Sequence, residues 1–364
     1  MARFLGESEY RHGAAENTGV LLANLGTPEA PTAQALRKYL RQFLSDPRVI
    51  ESPRWKWLPV LFSVVLPFRA PKSAAAYRKI WTEEGSPLLV NCRKQQEKIA
   101  AAFAGLPVKI ELGMSYGAPS IPNALRKLRA QNCRRILILP LYPQYANSTS
   151  GSVFADAMRE LSNWRAVPHT RFTASYCADP RFIAALADSV LAHQKIHGRP
   201  DMLVFSFHGT PQKMLQDGDP YYCLCQKTAR LAAQKLGLQD GEWTAAFQSL
   251  FGRGEWLKPY TDATLRALPQ QGARHVQVVC PGFSSDCLET LEEIAEENRE
   301  YFMQAGGEKF GYIPALNDSP AHIDFLCALI RDNTGDWLSE LHAENAEENR
   351  EQQKQNAKAK GAPR

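Results

Sequence analysis

The chain has 364 residues, of which 44% are hydrophobic and 22% charged, a balance typical of a globular protein with one large domain or two modest ones. The formal net charge of +5 is mildly basic, but the lysines and arginines are interspersed with acids. A nucleic-acid-binding protein would more usually show a clustered basic face. Composition therefore argues against nucleic acid as a partner.

The N-terminal segment 1–17 is polar and has no apolar core of the kind that a signal peptide needs. The longest apolar stretch, 57–68, is interrupted by two prolines and falls short of the ~20 residues that span a bilayer. We therefore expect a cytoplasmic protein whose 8 cysteines are thiols rather than a disulfide framework. The pair Cys223 and Cys225 has no second close pair beside it, which favours ordinary thiols over a metal or cluster site.

Short apolar runs alternate with helical stretches along the chain. In chain order we predict strand 19–25, helices 32–44 and 91–104, strands 108–112 and 135–140, helix 179–196, strand 202–207, helix 220–236, strands 244–249 and 275–281, and helix 285–304. This alternation predicts an α/β architecture with parallel sheets and helices on both faces. The polar tail 339–364 has no apolar stripe, so a fraying solvated helix or disorder is expected there.

In parallel sheets the ligand crevice lies beyond the carboxyl ends of the strands. Four predicted strand ends carry polar or aromatic residues, and their segments are 24–28, 142–145, 206–210 and 281–286. We expect all four to point into one crevice. The chain has no G-x-x-x-x-G-K-[ST] loop, and Gly26 stands alone where a dinucleotide fingerprint has three glycines, so the ligand is not expected to be a nucleotide.

Four carboxylates follow one another at spacings of three and four on the predicted helix 285–304: Asp286, Glu289, Glu293 and Glu297. At the α-helical repeat they share one face, where like charges destabilise an isolated helix. The face is therefore either fully solvated or visited by a cation. The helix dipole alone accounts for an acid in the first turn, but not for the two later ones.

His208 ends the predicted strand 202–207 and is followed directly by a glycine. A half-buried histidine bonded to backbone is one interpretation, and a site residue is the other. Neutral imidazole binds a borderline metal or takes up a proton near neutral pH. One histidine and one glutamate suit Fe²⁺ but are too few for a tight structural site, and an open, weak site is what a metal donor requires.

The segment 55–68 is too apolar and aromatic for an ordinary surface loop. It suits part of the core, a patch that contacts a membrane, or the lip of a pocket for a flat, apolar ligand. Trp256 lies in a second, Gly-rich loop where stacking on a ring would be natural.

Five segments in this order resemble the ferrochelatase family, and its proteobacterial members most. They are 24–28 with 39–46 downstream, 140–145 with 148–149, 206–211 with 218–221, 247–249 with Trp256, and 281–293. The resemblance extends over residues 18–338. It implies two Rossmann-like, doubly wound domains with parallel sheets and a cleft between them. We expect residues 1–170 to form the first domain, with an apolar lip, and 171–317 the second. A helix at 318–338 would pack back on the first domain, and 339–364 would form the polar tail.

The resemblance also implies an activity, the insertion of Fe²⁺ into protoporphyrin IX to give haem b as the last step of haem synthesis. Two protons are released, and the enzyme is a lyase that forms metal–nitrogen bonds. His208 is implied as the essential histidine and Glu289 as its carboxylate partner, both catalytic and both handling the metal. Whether His208 accepts pyrrole protons or binds the metal stays open. Asp286 and Glu293 are implied as members of an acidic path.

The remaining expected contacts concern the porphyrin. Leu25 falls where the family has a residue facing one side of the ring, and a leucine cannot bind iron. We expect Tyr142, Ser148 and Trp256 to line the porphyrin site as well. Arg78 and Lys79 are candidate partners of the propionates, although an ordinary helix-surface pair is an equally good interpretation.

No resident cofactor is expected, because Fe²⁺ is a substrate. Animal-type relatives hold a [2Fe–2S] cluster, but one ligand position is Asn147 here and no cysteine follows Cys327, so no such cluster is predicted. The expected partners are protoporphyrin IX and Fe²⁺, with the lip segment a candidate for contact with the inner face of the membrane. The sequence does not specify an oligomeric state. Alternatives are a chelatase for another metal or tetrapyrrole, such as cobalt or coproporphyrin III, and a non-catalytic tetrapyrrole carrier, which the acidic stripe disfavours.

Overall fold

The computed structural model describes residues 4–7, 10–251 and 254–362. The strands are β1 Asn17–Thr27, β2 Val108–Gly117, β3 Cys133–Pro140, β4 His169–Phe172, β5 Met202–His208, β6 Trp243–Gln248, β7 His275–Val279 and β8 Lys309–Ile313. The α-helices are α1 Ala33–Leu44, α2 Arg54–Val60, α3 Leu66–Ile80, α4 Pro87–Ala102, α5 Ile121–Ala130, α6 Ser152–Leu161, α7 Pro180–His197, α8 Gln212–Gln216, α9 Tyr221–Leu236, α10 Thr261–Ala267, α11 Arg299–Gln304, α12 Pro320–Glu344 and α13 Glu347–Ala359. Leu61–Val65, Asn147–Gly151 and Glu289–Asn298 are π-helical, and Leu268–Gln271 is a 3₁₀ turn.

The strands form two four-stranded sheets with the same topology. The first has the order β2-β1-β3-β4 and the second β6-β5-β7-β8, and every pairing is parallel. This confirms the predicted fold class of two doubly wound α/β units with parallel sheets. We refer to the parts built on the first and second sheets as the first and second halves; the expected domain boundary at residue 170 stays a prediction.

Each sheet is covered on both faces because the side chains of its central strands alternate. Val20 and Leu22 of β1 pack into one apolar core with α4 and α12, while Leu21 and Ala23 pack into another with α5 and α6. In the second half, Phe205 of β5 points to the face covered by α7 and α9. Strands buried on both faces are near-continuously apolar, which is why the sequence reveals them.

Two strands were not predicted from the sequence, and both lie at sheet edges. β4 is only 4 residues long and its residues are exposed or half-buried, and β8 is mostly half-buried. Neither has the apolar run by which the central strands were predicted.

Two long helices, α7 and α12, each follow the last strand of one half and pack against the other half. α7 follows β4 of the first sheet, yet it packs against α9 and β8, and its Leu186 and Val190 belong to the core of the second half. α12 follows β8 of the second sheet and packs against α4, β1 and β3 through Ile323 and Leu326. Beyond it, the tail forms the exposed helix α13 up to Ala359, while residues 363–364 of the predicted tail lie outside the described residues.

The two halves also repeat short sequences at equivalent positions. β1 runs into the segment Leu-Gly-Thr-Pro at 25–28, and β5 into His-Gly-Thr-Pro at 208–211. Gln95 of α4 donates to Ser285 Oγ at 3.0 Å, and Thr228 at the matching place on α9 accepts from Gln144 at 2.9 Å. These contacts make the segment after β3 the counterpart of the segment after β7, with Gln144 matching Ser285.

Candidate active site

A cavity of about 680 Å³ lies between the carboxyl ends of the two sheets. Both halves contribute to its wall. It is lined by Leu25, Phe43, Leu44, 49–52, Arg69, Lys72, Tyr142, Gln144, Ser148, Thr149, 208–211, Lys213, Met214, Tyr221, 249–251, Gly254, Trp256, Gly282, Phe283, Leu288, Glu289, Glu292, Glu293 and Glu297. The four strand-end segments predicted from the sequence all contribute residues to this wall.

His208 is half-buried at the last position of β5. Its Nδ1 lies 2.6 Å from the carbonyl oxygen of Gly209, so Nδ1 carries the proton and donates it to that carbonyl. The other ring nitrogen, Nε2, is thereby left as the lone-pair nitrogen of the neutral ring. A nitrogen of this kind binds a divalent metal or accepts a proton.

The acidic stripe lies on a π-helix, which corrects the predicted α-helix over 285–304. Residues Glu289–Asn298 have i to i+5 hydrogen bonding, and only Arg299–Gln304 is α-helical. Glu289, Glu293 and Glu297 all line the cavity, as does Glu292. π-Helical segments are rare and occur mostly at functional sites. The sequence could not reveal this one, because the spacing of its acids also suits an α-helix.

Glu289 is held at the start of the π-helix by Gln248, which the sequence placed in a family-matching segment without giving it a role. The side chain of Gln248 donates to the Glu289 carbonyl at 2.8 Å and accepts from Ser206 Oγ at 2.7 Å. Gln248 is buried, so this amide ties the ends of two strands to the first π-turn. Burial raises the pKa of Tyr39, and the nearby Glu289 carboxylate raises it further.

Glu293 is clamped by Ser249, which directly follows β6. Ser249 donates from its backbone N–H to Oε1 at 2.7 Å and from its hydroxyl to Oε2. Its φ of 66° lies in the left-handed region, which costs a non-glycine residue energy. Burial raises the pKa of Glu293 to about 7, against the two hydrogen bonds from Ser249, which lower it. Glu293 therefore changes charge near neutral pH.

Asp286, which was expected in the acidic path, is bonded by the surrounding protein. Its carboxylate accepts hydrogen bonds from Thr290, Tyr312, the Ala315 N–H and Asn317, and it is 7% exposed. It does not line the cavity. Its role is to organise the turn that leads into the π-helix, because all of its acceptor capacity faces the protein.

Leu25, Tyr142, Ser148 and Trp256 all line the cavity, as expected from the sequence. Leu25 lies two residues before the end of β1 and, like His208 at the end of β5, is followed by Gly-Thr-Pro, so the two residues stand at equivalent positions of the two halves. Trp256 is fixed by a backbone bridge to Pro211. The site thus combines an imidazole and carboxylates from the second half with Leu25, Tyr142 and Ser148 from the first.

Arg78 and Lys79, the candidate propionate partners, do not line the cavity. Both are exposed, and Lys79 forms ion pairs with Glu292 at 2.8 Å and Glu296 at 3.3 Å, which join α3 to the π-helix. The cations that line the cavity are Arg69 and Lys72, earlier on α3, and Lys213 on α8. The i, i+3 spacing of Arg69 and Lys72 was the available signal, because residues three apart share a helix face.

The lip segment 55–68 forms α2, a π-turn and the start of α3. Leu61 and Leu66 are buried, whereas Trp55 is 74% and Phe68 76% exposed. No residue of 55–68 lines the cavity, which takes its lip from the residues just before and after this segment. Of the three interpretations, the lip of the pocket is the one that this placement does not favour, because one face of the segment is core and the other is exposed.

The cysteine pair is split between two environments. Cys223 is exposed and Cys225 is buried, and burial raises the pKa of the Cys225 thiol.

Within the described ranges, no three His, Cys, Asp or Glu side chains are grouped so that they could hold a metal ion. Asn147 uses its side chain to bond Arg48 and Glu51. No helix in the described part of the chain is long and apolar enough to cross a membrane.

The architecture is shared with known chelatases. The structure of SirB from Bacillus subtilis with Fe3+ superposes with a TM-score of 0.53 at 12% identity, covering 87% of this chain and 95% of that one. The sirohydrochlorin chelatase SirB from Bacillus subtilis subspecies spizizenii, in complex with cobalt, gives a TM-score of 0.52. At such low identity these matches define the class of fold, which is that of the chelatases.

Sequence comparison identifies the family within that class. The ferrochelatase family model matches residues 17–334. The ferrochelatase of Thioalkalivibrio sulfidiphilus is 54% identical over 338 residues, covering 92% of each chain, and that of Azoarcus sp. is 53% identical over 348 residues, covering 95% of this chain and 96% of that one. This chain belongs to the ferrochelatase family, and its activity is that of a ferrochelatase.

Proposed function

We propose that the cavity binds protoporphyrin IX and Fe²⁺ and joins them into haem b, releasing two protons and needing no resident cofactor. The observation that carries this proposal is that the two halves contribute different side chains to one cavity. The second half contributes His208 and the carboxylates of the π-helix to the lining, and the first half contributes Leu25, Tyr142 and Ser148. A flat apolar ring fits between them, and the metal-handling groups then lie on a single side of it.

The ring carries two N–H groups in the opening that the metal enters, so one face must lose protons while metal arrives. His208 acts as the base, since a neutral imidazole is matched to proton transfer near neutral pH. Glu289 stabilises the imidazolium that forms and guides Fe²⁺ toward the ring. Glu293 and Glu297 extend this carboxylate path outward. A site with so few protein ligands holds the ion weakly enough for the ring nitrogens to capture it.

The propionates pair with Arg69 and Lys72 at the mouth of the cavity. Both side chains line it, and Arg69 is half-buried. Burial lowers the pKa of Arg69, and the nearby Glu289 carboxylate opposes that shift. A guanidinium offers a carboxylate two parallel hydrogen bonds, which fixes the orientation of the ring.

The exposed apolar face of 55–68 contacts the surface of a membrane. Its exposed side chains include Trp55, Phe62, Val64 and Phe68. Arg54 and Lys56 lie beside them, which suits anionic headgroups next to an apolar interior. Flotation with vesicles containing anionic lipid tests this: wild type should float, and a Trp55→Ser, Phe68→Ser double variant should stay at the bottom. Equal flotation of both would contradict it.

The chelatase is tested by the loss of free-base porphyrin fluorescence under anaerobic conditions. Protoporphyrin IX and Fe²⁺ are mixed with catalytic amounts of wild type, His208→Ala or Glu289→Gln. Multiple turnovers by wild type that are lost in both variants are expected. Turnover with coproporphyrin III alone would assign a different porphyrin, and stoichiometric binding without turnover would indicate a carrier.

The same variants separate the two roles of His208. If His208 is only a base, His208→Ala should still bind Fe²⁺ as wild type does, in a titration without porphyrin. Loss of metal affinity in that titration would assign the histidine as a ligand instead.

A further inference from the structure

We propose that Gln95 of α4 is a positioning residue for Glu289: its buried amide holds the turn that leads into the π-helix and so fixes where this carboxylate meets the metal. This inference rests on the proposed function, in which Glu289 guides Fe²⁺ toward the ring. Gln95 belongs to the first half and does not line the cavity, so it acts through other residues.

The side chain of Gln95 is fully buried and reaches across to the second half. Its Nε2 donates to the Asn317 carbonyl at 2.8 Å, to Ser285 Oγ at 3.0 Å and to the Ser284 carbonyl at 3.2 Å. These acceptors lie in two segments, one after β7 and the other after β8. A single amide of the first half therefore ties down two loops of the second.

Asn317 connects this amide to the beginning of the π-helix. Its φ of 47° lies in the left-handed region, which asparagine tolerates better than most residues, and its carbonyl also accepts from His322 Nδ1 at 2.7 Å. Its side chain accepts the Asp286 N–H at 2.8 Å and donates to Asp286 Oδ2 at 2.7 Å. Asp286 accepts the hydroxyl of Thr290, the residue after Glu289, at 3.1 Å. A continuous line of hydrogen bonds thus runs from α4 to the first turn of the π-helix.

The same buried network extends to the Gly-Thr-Pro segment of the first half. Asn24 donates from Nδ2 to Cys92 Sγ at 3.3 Å, and this nitrogen lies 3.5 Å from Ser284 Oγ. Asn24 Oδ1 accepts the Leu25 N–H at 2.8 Å. The network therefore fixes Leu25, which the first half contributes to the cavity, relative to the turn that leads to Glu289.

Glu289 is restrained from both halves of the molecule. Gln248 bonds its carbonyl from the second half, and Gln95 holds the preceding turn from the first. Apolar side chains would fill the same space without losing hydrogen bonds to water, but only directed bonds specify one arrangement. A displacement of about 1 Å caused far from the chemistry can cost about 10²-fold in rate. Gln95 therefore matters for the distance between Glu289 and a ring held by first-half side chains.

The test compares Gln95→Met with Gln277→Met. Both glutamines are fully buried, both donate from Nε2 to a backbone carbonyl, and neither amide oxygen has a partner among the described residues. Gln277 lies on β7 and bonds Gly198 at 2.9 Å instead. Both variants should unfold at lower urea concentration than wild type, because buried acceptors lose their donor. In anaerobic insertion, only Gln95→Met should lose about tenfold in kcat/KM for Fe²⁺, with KM for porphyrin unchanged.

A double-variant cycle shows whether the effect of Gln95 passes through Glu289. In a Glu289→Ser background, Gln95→Met should cost less than about twofold in kcat/KM for Fe²⁺, because the carboxylate that it positions is absent. A loss of about tenfold in both backgrounds would show a general structural effect and would overturn the positioning role.

Ser285→Ala serves if Gln95→Met does not fold, since it removes one acceptor of the amide and leaves the two carbonyls. It should lose about threefold in kcat/KM for Fe²⁺ in the wild-type background and nothing further in the Glu289→Ser background. Wild-type values in Gln95→Met and Ser285→Ala, or equal kinetic losses in Gln95→Met and Gln277→Met, would overturn the positioning role alone. No turnover by wild type would overturn the proposed function and this inference with it.

Discussion

The two halves of this protein share a scaffold and differ in chemistry. Near the end of its central strand each has a residue followed by Gly-Thr-Pro, and each has a π-helix after its third strand. At these places the second half carries His208 and Glu289, where the first half carries Leu25 and Ser148. A handful of positions at strand ends therefore decides which wall of the cavity handles metal, while the fold only brings the positions together.

The largest expected effect comes from making the second half like the first at its strand end. His208→Leu places the counterpart side chain there and removes the only imidazole among the cavity-lining residues. Loss of a general base typically costs 10²–10⁴-fold, so we expect kcat to fall about 10³-fold in the anaerobic insertion assay. Leu25→Val is the control and should stay within about threefold, because apolar swaps of similar size are tolerated. Comparable losses in both variants would show that shape, not imidazole chemistry, distinguishes the walls.

Glu289→Ser makes the corresponding exchange on the π-helix, since Ser148 is the matching residue. We expect kcat/KM for Fe²⁺ to fall about 10²-fold, because a preorganised charge in a partly buried site is worth a few kcal/mol. Glu300→Gln, an exposed acid on α11, controls for net charge and should behave as wild type. An equal loss with Glu300→Gln would mean that overall charge, not this carboxylate, draws the metal in.

A third difference between the halves concerns stability. His322 on α12 is fully buried, where α7 has Phe182 at the matching place after its N-terminal proline. Burial lowers the pKa of His322 to about 4, so the folded state holds the neutral ring. Its contribution to stability is complete above pH ~6.5 and is lost as the pH falls toward 4, by about 3 kcal/mol for a shift of roughly 2.5 units.

His322→Phe should remove that pH dependence. Between pH 7 and pH 4 the unfolding free energy of wild type should fall by about 3 kcal/mol more than that of the variant, as measured by urea denaturation. His169→Gln, at an exposed position of β4, is the control and should keep the wild-type slope. Parallel pH profiles for wild type and His322→Phe would show that this ring does not contribute to acid unfolding.

The smallest expected effect concerns the clamp on Glu293. Ser249→Gly keeps the backbone N–H and the left-handed conformation but removes the hydroxyl, one of the groups that lower the pKa of Glu293. The pKa of Glu293, already raised from 4.5 to about 7, should therefore rise further. The part of the pH profile of kcat/KM for Fe²⁺ that requires the ionised carboxylate should move to higher pH.

A shift of about one unit is expected for Ser249→Gly, since a charge-assisted hydrogen bond is worth about 1.5–3 kcal/mol and burial already opposes ionisation. Ser249→Asn tolerates the same backbone conformation and retains a donor, so its profile should stay near wild type. An unshifted limb in Ser249→Gly would mean that the hydroxyl does not act on Glu293.

Much of the site could be predicted because its principal residues stand at strand ends. His208, Tyr142 and Leu25 follow apolar runs long enough to be recognised as central strands, and parallel topology brings those ends together. The order of apolar runs in the sequence is therefore enough to predict that these residues line one cavity. Their roles in the reaction stay predictions until the variants are measured.

The rest depended on helix phase and on side-chain reach, which spacing does not determine. Arg78 and Arg69 lie nine residues apart on α3, yet only Arg69 lines the cavity, because helix rotation turns Arg78 to solvent. Asp286 continues the acidic stripe in sequence, but it precedes the π-helix and bonds to the neighbouring turn instead. Gln248 has no chemistry of its own that would attract notice, and its importance comes from a contact between distant segments.

The packing of α7 and α12 on opposite halves bears on how a two-half chain of this kind could have arisen. Because each packs on the other half, a fragment ending after β4 and α7 would expose the apolar face carried by Leu186 and Val190. Two copies of such a fragment could cover each other's exposed faces by reciprocal exchange of that helix, as a domain-swapped dimer does. The single chain has the arrangement expected if such a dimer became covalently fused, after which one copy kept the imidazole and the acids while the other was free to lose them.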